Sequence, residues 1–190
     1  MRIGEDRSHM IQAGVQTSKH RSRRRRSAGA ELLEFTLNFM PFLAMTMLVT
    51  DTAWCVFGEA TLQEAVRIAV REGVTLTTSQ VSTDLTSTVK GIVQAHAVGL
   101  LNGTTGYGYI KVHYFDGNNP GNDVSNQTWG NISGNIMQVS VENYSLNPLM
   151  VRLFRLQDKP DVAPLNVTVY AADVIEPMSP ANTPPIGPAP

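Results

Sequence analysis

With 190 residues, 42% of them hydrophobic and 16% charged, the chain has room for one modest domain with appendages. Its single cysteine, Cys55, excludes an internal disulfide and a cysteine-pair metal site. The net charge of -1 conceals a division: residues 1–29 carry eight Lys or Arg against two acids, and residues 30–190 carry seven against fourteen. A basic arm is joined to an acidic body.

The arm is polar, lacks apolar periodicity and contains the unbroken run Arg23, Arg24, Arg25 and Arg26. It is expected to be disordered. Such an arm can bind nucleic acid through phosphate contacts, or hold a chain end on the cytoplasmic side of a membrane. The apolar run that starts at Leu32, six residues after Arg26, favours the membrane and argues against nucleic acid.

From Leu32 to Thr50 the sequence reads LLEFTLNFMPFLAMTMLVT, and Phe35–Thr50 carries no charge. A helix rising about 1.5 Å per residue needs roughly 20 residues to cross a bilayer core. The run therefore predicts one membrane span, although it contains Glu34, Asn38 and Pro41. Pro41 removes a backbone donor and predicts a kink. Asp51 is expected to be an interface or intramembrane acid at the far side, with Trp54 and Phe57 as aromatic anchors.

Beyond the span, Leu62, Ala65, Val66 and Ala69 recur on one helical face opposite Thr61, Glu64, Arg67 and Arg71. The helix is expected to continue, now amphipathic, to about Gly73. A second amphipathic helix is predicted over 79–101, with Val81, Leu85, Val89, Ile92 and Val93 as its stripe and Asn102-Gly103 as its stop. His96 lies at the margin of that stripe.

Alternation predicts strands at Tyr109–Phe115, Ile136–Tyr144 and Leu165–Ala171, forming a small antiparallel sheet. A long loop rich in Gly and Asn separates the first two, and a short helix around LMVRLFRL is expected between the last two. Six prolines among residues 177–190 predict a solvated, disordered tail. The fold class is thus α+β. Its expected divisions are a leader (1–29), a membrane and amphipathic helix (30–75), an extracytoplasmic domain (76–176) and the tail (177–190).

No hydrolase elbow, zinc-protease, phosphate-loop or dinucleotide motif is present, so no catalytic, cofactor-binding or metal residue is nominated and the chain is read as a non-enzyme. Asp116, Asn118 and Gly121 suit a calcium loop, but Pro120 and Gln127 occupy positions that need ligands, so a turn-rich hairpin loop is the better reading. His113 lies mid-strand with no partner at metal or triad spacing. Sequons begin at Asn102, Asn126, Asn131 and Asn166.

One processing pattern fits the junction of arm and span: Gly29, then Ala30-Glu31-Leu32-Leu33, then Glu34-Phe35 and the apolar helix. It resembles the prepilin peptidase site of type IV pilin-like proteins. With Pro41, Asp51 and Ala69-Val70-Arg71-Glu72-Gly73, the resemblance is to TadE-like minor pilins of tight-adherence systems. Ala171–Pro177 is loosely similar to the closing segment of that family.

The resemblance implies cleavage between Gly29 and Ala30, with Glu34 and Phe35 serving processing and assembly and Arg23–Arg26 orienting the chain. Implied partners are a prepilin peptidase, other pilin or pilin-like subunits, an inner-membrane assembly platform and membrane lipid. The implied location is the bacterial inner membrane, single-pass with a cytoplasmic amino terminus, and then a pilus or related secretion machinery. A carboxylate in an apolar setting costs several kcal/mol unless paired, and cleavage creates an amine at Ala30 that can sit beside a neighbour's Glu34. The rival expectation is a permanently anchored single-span protein whose outer domain binds a ligand or wall component.

Overall fold

The computed structural model describes residues 9–148, 150 and 164–187, with residues 9–28 by backbone alone. The predicted short helix around LMVRLFRL lies outside the described residues, apart from helical Met150. The chain divides into two compact units, Met1–Val49 and Thr50–Pro190.

Helix α1 runs from His9 to Gly73. It therefore includes much of the arm, which composition predicts to be irregular. Residues 9–28 hold no proline and five arginines, which are good helix formers, and extending a nucleated helix costs little. Pro41 stays inside α1. In the second unit the predicted stripe is realised: Leu62, Ala65, Val66 and Ala69 are all completely buried, while Glu64, Arg67 and Arg71 are exposed.

Glycines set how closely α1 packs. A Cβ on Gly58 would stand 2.9 Å from Leu146 Cδ2, and one on Gly73 would stand 2.9 Å from both Met137 Sδ and Val89 Cγ2. After Gly73 the chain tightens into turns through Thr75 N–H to Glu72 O and Leu76 N–H to Gly73 O.

Helix α2 spans Leu85–His96, shorter at both ends than predicted. Asp84 caps its start, its carboxylate accepting the Ser87 N–H at 2.6 Å and the Ser87 hydroxyl at 2.8 Å. Residues 77–80 form a separate turn, with Gln80 N–H on Thr77 O and Gln80 Oε1 accepting the Thr77 N–H. At the other end Val98 (φ 48°) and Gly99 (φ 81°) turn the backbone left-handed, so the stop precedes the Asn102-Gly103 pair. That pair instead begins a short helix, α3, Gly103–Gly108.

The sheet has four antiparallel strands in the order β2-β1-β3-β4, one more than predicted. They are β1 (Ile110–Asp116), β2 (Asn119–Asp123), β3 (Ile136–Leu146) and β4 (Leu165–Val174). Strand β2 was not expected because it reads NPGND, is wholly exposed and has no apolar alternation. Ile110, Val112, Tyr114, Met137, Val139 and Val141 alternate inward to meet α1, α2 and Val167 and Val169 of β4 in one apolar core. Asn143 (φ 53°) marks a bulge in β3, and its N–H finds Thr168 Oγ1 at 3.1 Å.

The carboxy-terminal segment corrects the expectation of a solvated tail. Ile175 is buried and Ile186 joins the core at 8% exposure. A short 3-10 turn, Pro180–Asn182, leads into an extended stretch, and carbonyls of both take N–H groups of the body: Thr78 to Asn182 O, Leu85 to Pro185 O and Thr86 to Ile186 O. Proline prevents a segment from joining a helix or sheet interior, but it leaves every carbonyl free to accept. Residues 188–190 lie outside the described residues.

A Cβ on Gly106 would collide with the backbone of Leu101, whereas one on Gly108 would meet nothing within 4 Å. Gly106→Ala is therefore expected to destabilise the body by about 1–3 kcal/mol. Gly108→Ala is expected to be neutral or to stabilise by up to about 1 kcal/mol. Urea unfolding of both variants in detergent compares them directly.

Candidate functional site

The candidate site is the apolar stretch of α1 and its polar interruptions. Among the described residues, α1 from Gly29 is the one helix long and apolar enough to cross a membrane, and its most apolar 18-residue stretch has no buried residue. Leu33, Phe35, Leu37, Met40, Phe42, Met45, Leu48 and Val49 are each more than 60% exposed. Together with Leu32, which is also exposed and lies on the remaining side, they are distributed around the whole axis at 100° per residue, so no single protein surface could cover them all.

Local interactions suit these residues to an apolar solvent. The Thr36 hydroxyl donates to Leu32 O at 2.8 Å and the Thr46 hydroxyl to Phe42 O at 3.0 Å, so neither hydroxyl needs water. Phe35 stacks on Phe39 with ring centroids 5.5 Å apart, and Phe39 meets Phe42 at 6.5 Å. Trp54 and Phe57 pair at 6.0 Å near the far end. Cys55 is free and half-buried.

Gly29, Ala30, Glu31 and Glu34 are all exposed on α1, and a Cβ on Gly29 would meet nothing within 4 Å. Glu34 lies one helical turn before Asn38. Arg23–Arg26 lie on the same helix by backbone, and their side chains lie outside the described residues. Asp51 is half-buried, and its Oδ1 accepts the Met150 N–H at 3.0 Å. That intrachain bond could not be read from the sequence, since 99 residues separate the partners.

The body holds a second polar constellation. His113 Nδ1 lies 3.0 Å from Asp123 Oδ2, whereas the sequence reading found it no partner. The missed signal is the Asp116-Gly117 dipeptide, which turns β1 into β2 and brings the two residues together. The Asn118 N–H on Asp116 Oδ1 at 2.9 Å completes an ordinary turn in place of a calcium loop.

Ser125 donates its hydroxyl to Asp123 Oδ1 at 2.5 Å, and its N–H goes to the same oxygen at 2.8 Å. Its Oγ also accepts the Tyr114 N–H at 2.9 Å. His, Asp and Ser are thus wired through the carboxylate, with no His–Ser bond to activate a nucleophile. The arrangement pins the turn after β2 to β1. Partial desolvation would raise the Asp123 pKa, but the bonds from Ser125, with those from His113, outweigh it and hold the carboxyl below its ordinary range.

Elsewhere the Lys90 ammonium sits 5.1 Å from the centre of the Tyr107 ring. Burial, followed by the neighbouring Lys111 charge, lowers its pKa against the opposing pull of Asp84. Tyr114 lies deep in the core, and desolvation raises its phenol pKa far above the ordinary value, against a weaker opposing effect of the nearby Thr86 hydroxyl. The two hydroxyls do not form a well-directed hydrogen bond, and each lacks a partner. The sequon Asn131 is 1% exposed and bonds through Nδ2 to Pro184 O, so that position is closed to modification in the folded body.

Among the described residues no cluster of His, Cys, Asp or Glu is placed to hold a metal ion. No family model matches the sequence, no curated protein is detectably similar to it, and no solved structure matches its fold.

Because the folded-state pKa of Asp123 is lowered, its stabilising effect is complete above the unfolded carboxylate value near about 4 and fades as pH falls through the folded value. Asp123→Asn is expected to lower the urea midpoint at pH 7 and to lower it progressively less toward pH 2. A gap between variant and parent that stays constant over that range would show that Asp123 does not act through its charge.

Proposed function

We propose that the chain is a TadE-like minor pilin subunit, inserted with its basic arm in the cytoplasm, cleaved after Gly29 and assembled through α1. The observation that carries this reading is the juxtaposition at one point of α1: a glycine with open space around it, an acid five residues later, and then an apolar surface uncovered on all sides. An uncovered apolar helix requires lipid or other apolar helices as its solvent. The glycine and the acid match what a prepilin peptidase reads, on the resemblance already described.

In this reading each residue has a physical task. Arg23–Arg26 resist translocation and fix the amino end inside. Removal of the leader exposes the Ala30 amine, a cation that compensates the Glu34 carboxylate of an adjacent subunit and sets the stagger between helices. The α+β body then lies outside the inner membrane, where it contacts other assembly components. No step of this role calls for catalysis, a cofactor or a metal.

Mass spectrometry of the membrane-extracted protein is expected to find Ala30 as the first residue. Gly29→Ala is expected to leave the leader attached and to abolish incorporation into assembled filaments. An intact leader on the parent chain contradicts the proposal. An uncleaved variant with undiminished function would instead make the chain a permanently anchored single-span protein with an outer binding domain.

A further inference from the structure

Contacts along α1 fix which end of the body lies beside the residues that follow the apolar run. A Cβ on Gly73 would stand 2.9 Å from Met137 Sδ, one on Gly58 would stand 2.9 Å from Leu146 Cδ2, and Asp51 Oδ1 accepts the Met150 N–H at 3.0 Å. Strand β3 therefore runs antiparallel to α1, and the chain continues past its end to the level of Asp51. Strand β4 runs back: Leu165 pairs with Leu146, Tyr170 O accepts from Gln63 Nε2 at 3.0 Å, and the Glu176 N–H reaches Val74 O at 3.3 Å. Residues 146–148, Met150 and Leu165 thus form the end of the body beside residues 51–58 of α1. The loop carrying Trp129 lies at the opposite end, where Asn135 bonds both to Trp129 O and to the Ile175 N–H.

The end beside residues 51–58 has the composition of a surface that meets lipid. Val56 is 61% exposed, and Phe57 and Leu165 are each 50% exposed. Residues 30–190 carry fourteen acids, yet residues 143–150 and 164–172 carry no charge, and the only charge between residues 35 and 58 is Asp51. That carboxylate is half-buried and accepts a backbone N–H, so it needs less water than a free acid. A helical stretch over residues 35–58 is roughly 35 Å long, which matches a hydrocarbon core of about 30 Å with one headgroup layer beyond it. Trp54 and Phe57, paired at 6.0 Å, fall in that layer, where aromatic side chains are favoured. Leu165, whose partner Leu146 packs at Gly58, falls at the same level.

We propose that Val56 and Phe57 of α1, with Leu165 and the chain around Met150, form a lipid-contact surface that seats the body in the headgroup layer of the bilayer. The occupant is lipid because this surface continues directly from an apolar run that already requires an apolar solvent. The Asp51–Met150 bond ties its two parts together, one from α1 and one from the connection that follows β3. The body then stands at a fixed height over the membrane, with the Asp116-Gly117 turn and the Trp129 loop directed away from it. The proposal rests on the reading of α1 as a membrane helix and is independent of cleavage after Gly29.

Tryptophan quenching in the full-length protein, reconstituted into vesicles of phosphatidylcholine and phosphatidylglycerol, tests it. Trp54→Phe with Trp129→Phe removes both native tryptophans. Single probes are then placed by Leu165→Trp in the surface and by Phe42→Trp in the apolar run, while Trp54→Phe alone leaves Trp129 as the distal probe. The Leu165→Trp probe is expected to be quenched several-fold more than Trp129 by lipid spin-labelled at its headgroup, and the Phe42→Trp probe to be quenched by lipid brominated deep in its chains. Should Leu165→Trp not fold, Asn147→Trp, at an exposed position of the same surface, takes its place. Deep quenching of the Phe42→Trp probe, with the Leu165→Trp probe quenched no more than Trp129, overturns the proposal and leaves the membrane helix standing. A Phe42→Trp probe untouched by deep bromine overturns the membrane helix itself, and the proposal with it. Shielding of the Leu165→Trp probe from aqueous iodide without quenching by lipid would mean that protein covers the surface, which also overturns it.

Discussion

The uncovered apolar surface between Leu32 and Val49 is the constraint on which the rest of the molecule depends. Leaving a large apolar side chain in water forgoes roughly 1.5–3 kcal/mol, and this run exposes many such side chains in succession. The sum exceeds the about 5–15 kcal/mol by which a whole domain is stable. No rearrangement of the body could recover it, because the side chains face every direction around the helix. The run needs an apolar solvent, and the back-bonded threonines and stacked phenylalanines are consistent with one.

The same helix then changes its solvent. From Gly58 onward one face is buried, with Leu62, Ala65, Val66, Ala69 and Val70 in the core and charged residues opposite. Small residues let it lie close to Leu146, Met137 and Val89. The candidate membrane span and a core-packing stripe are therefore carried on one helix, and Asp51, which lies between them in sequence, is engaged by the Met150 backbone. A substitution in this stretch acts on anchoring or on folding according to which side of the change it falls.

Where a pattern repeats, the sequence was readable. The stripe at 62, 65, 66 and 69 and the alternations in β1, β3 and β4 each report one buried face, and all four elements lie close to their expected places. The misreadings arise where no repeating buried face marks an element. Val81 continues the α2 stripe, so the start of that helix is visible only through the Asp84 cap. Strand β2 has no buried face to report. The tail composition correctly excludes a helix or sheet, yet nothing in it tells that its carbonyls would cap α2. At the candidate site, Gly29, Glu34 and Asp51 were legible as residue types in order, whereas the Asp51–Met150 and His113–Asp123 contacts required the fold.

The central claim is that α1 meets lipid along its apolar run and protein along its last turns. Nitroxide scanning from residue 35 to residue 73 in lipid bilayers, with oxygen and a water-soluble nickel chelate as relaxants, measures this residue by residue. The account predicts high oxygen accessibility at every position from 35 to 49, with no helical periodicity, and a 3.6-residue oscillation from about residue 58 onward. An oscillation already present between 35 and 49, or high accessibility to the nickel chelate there, would contradict it.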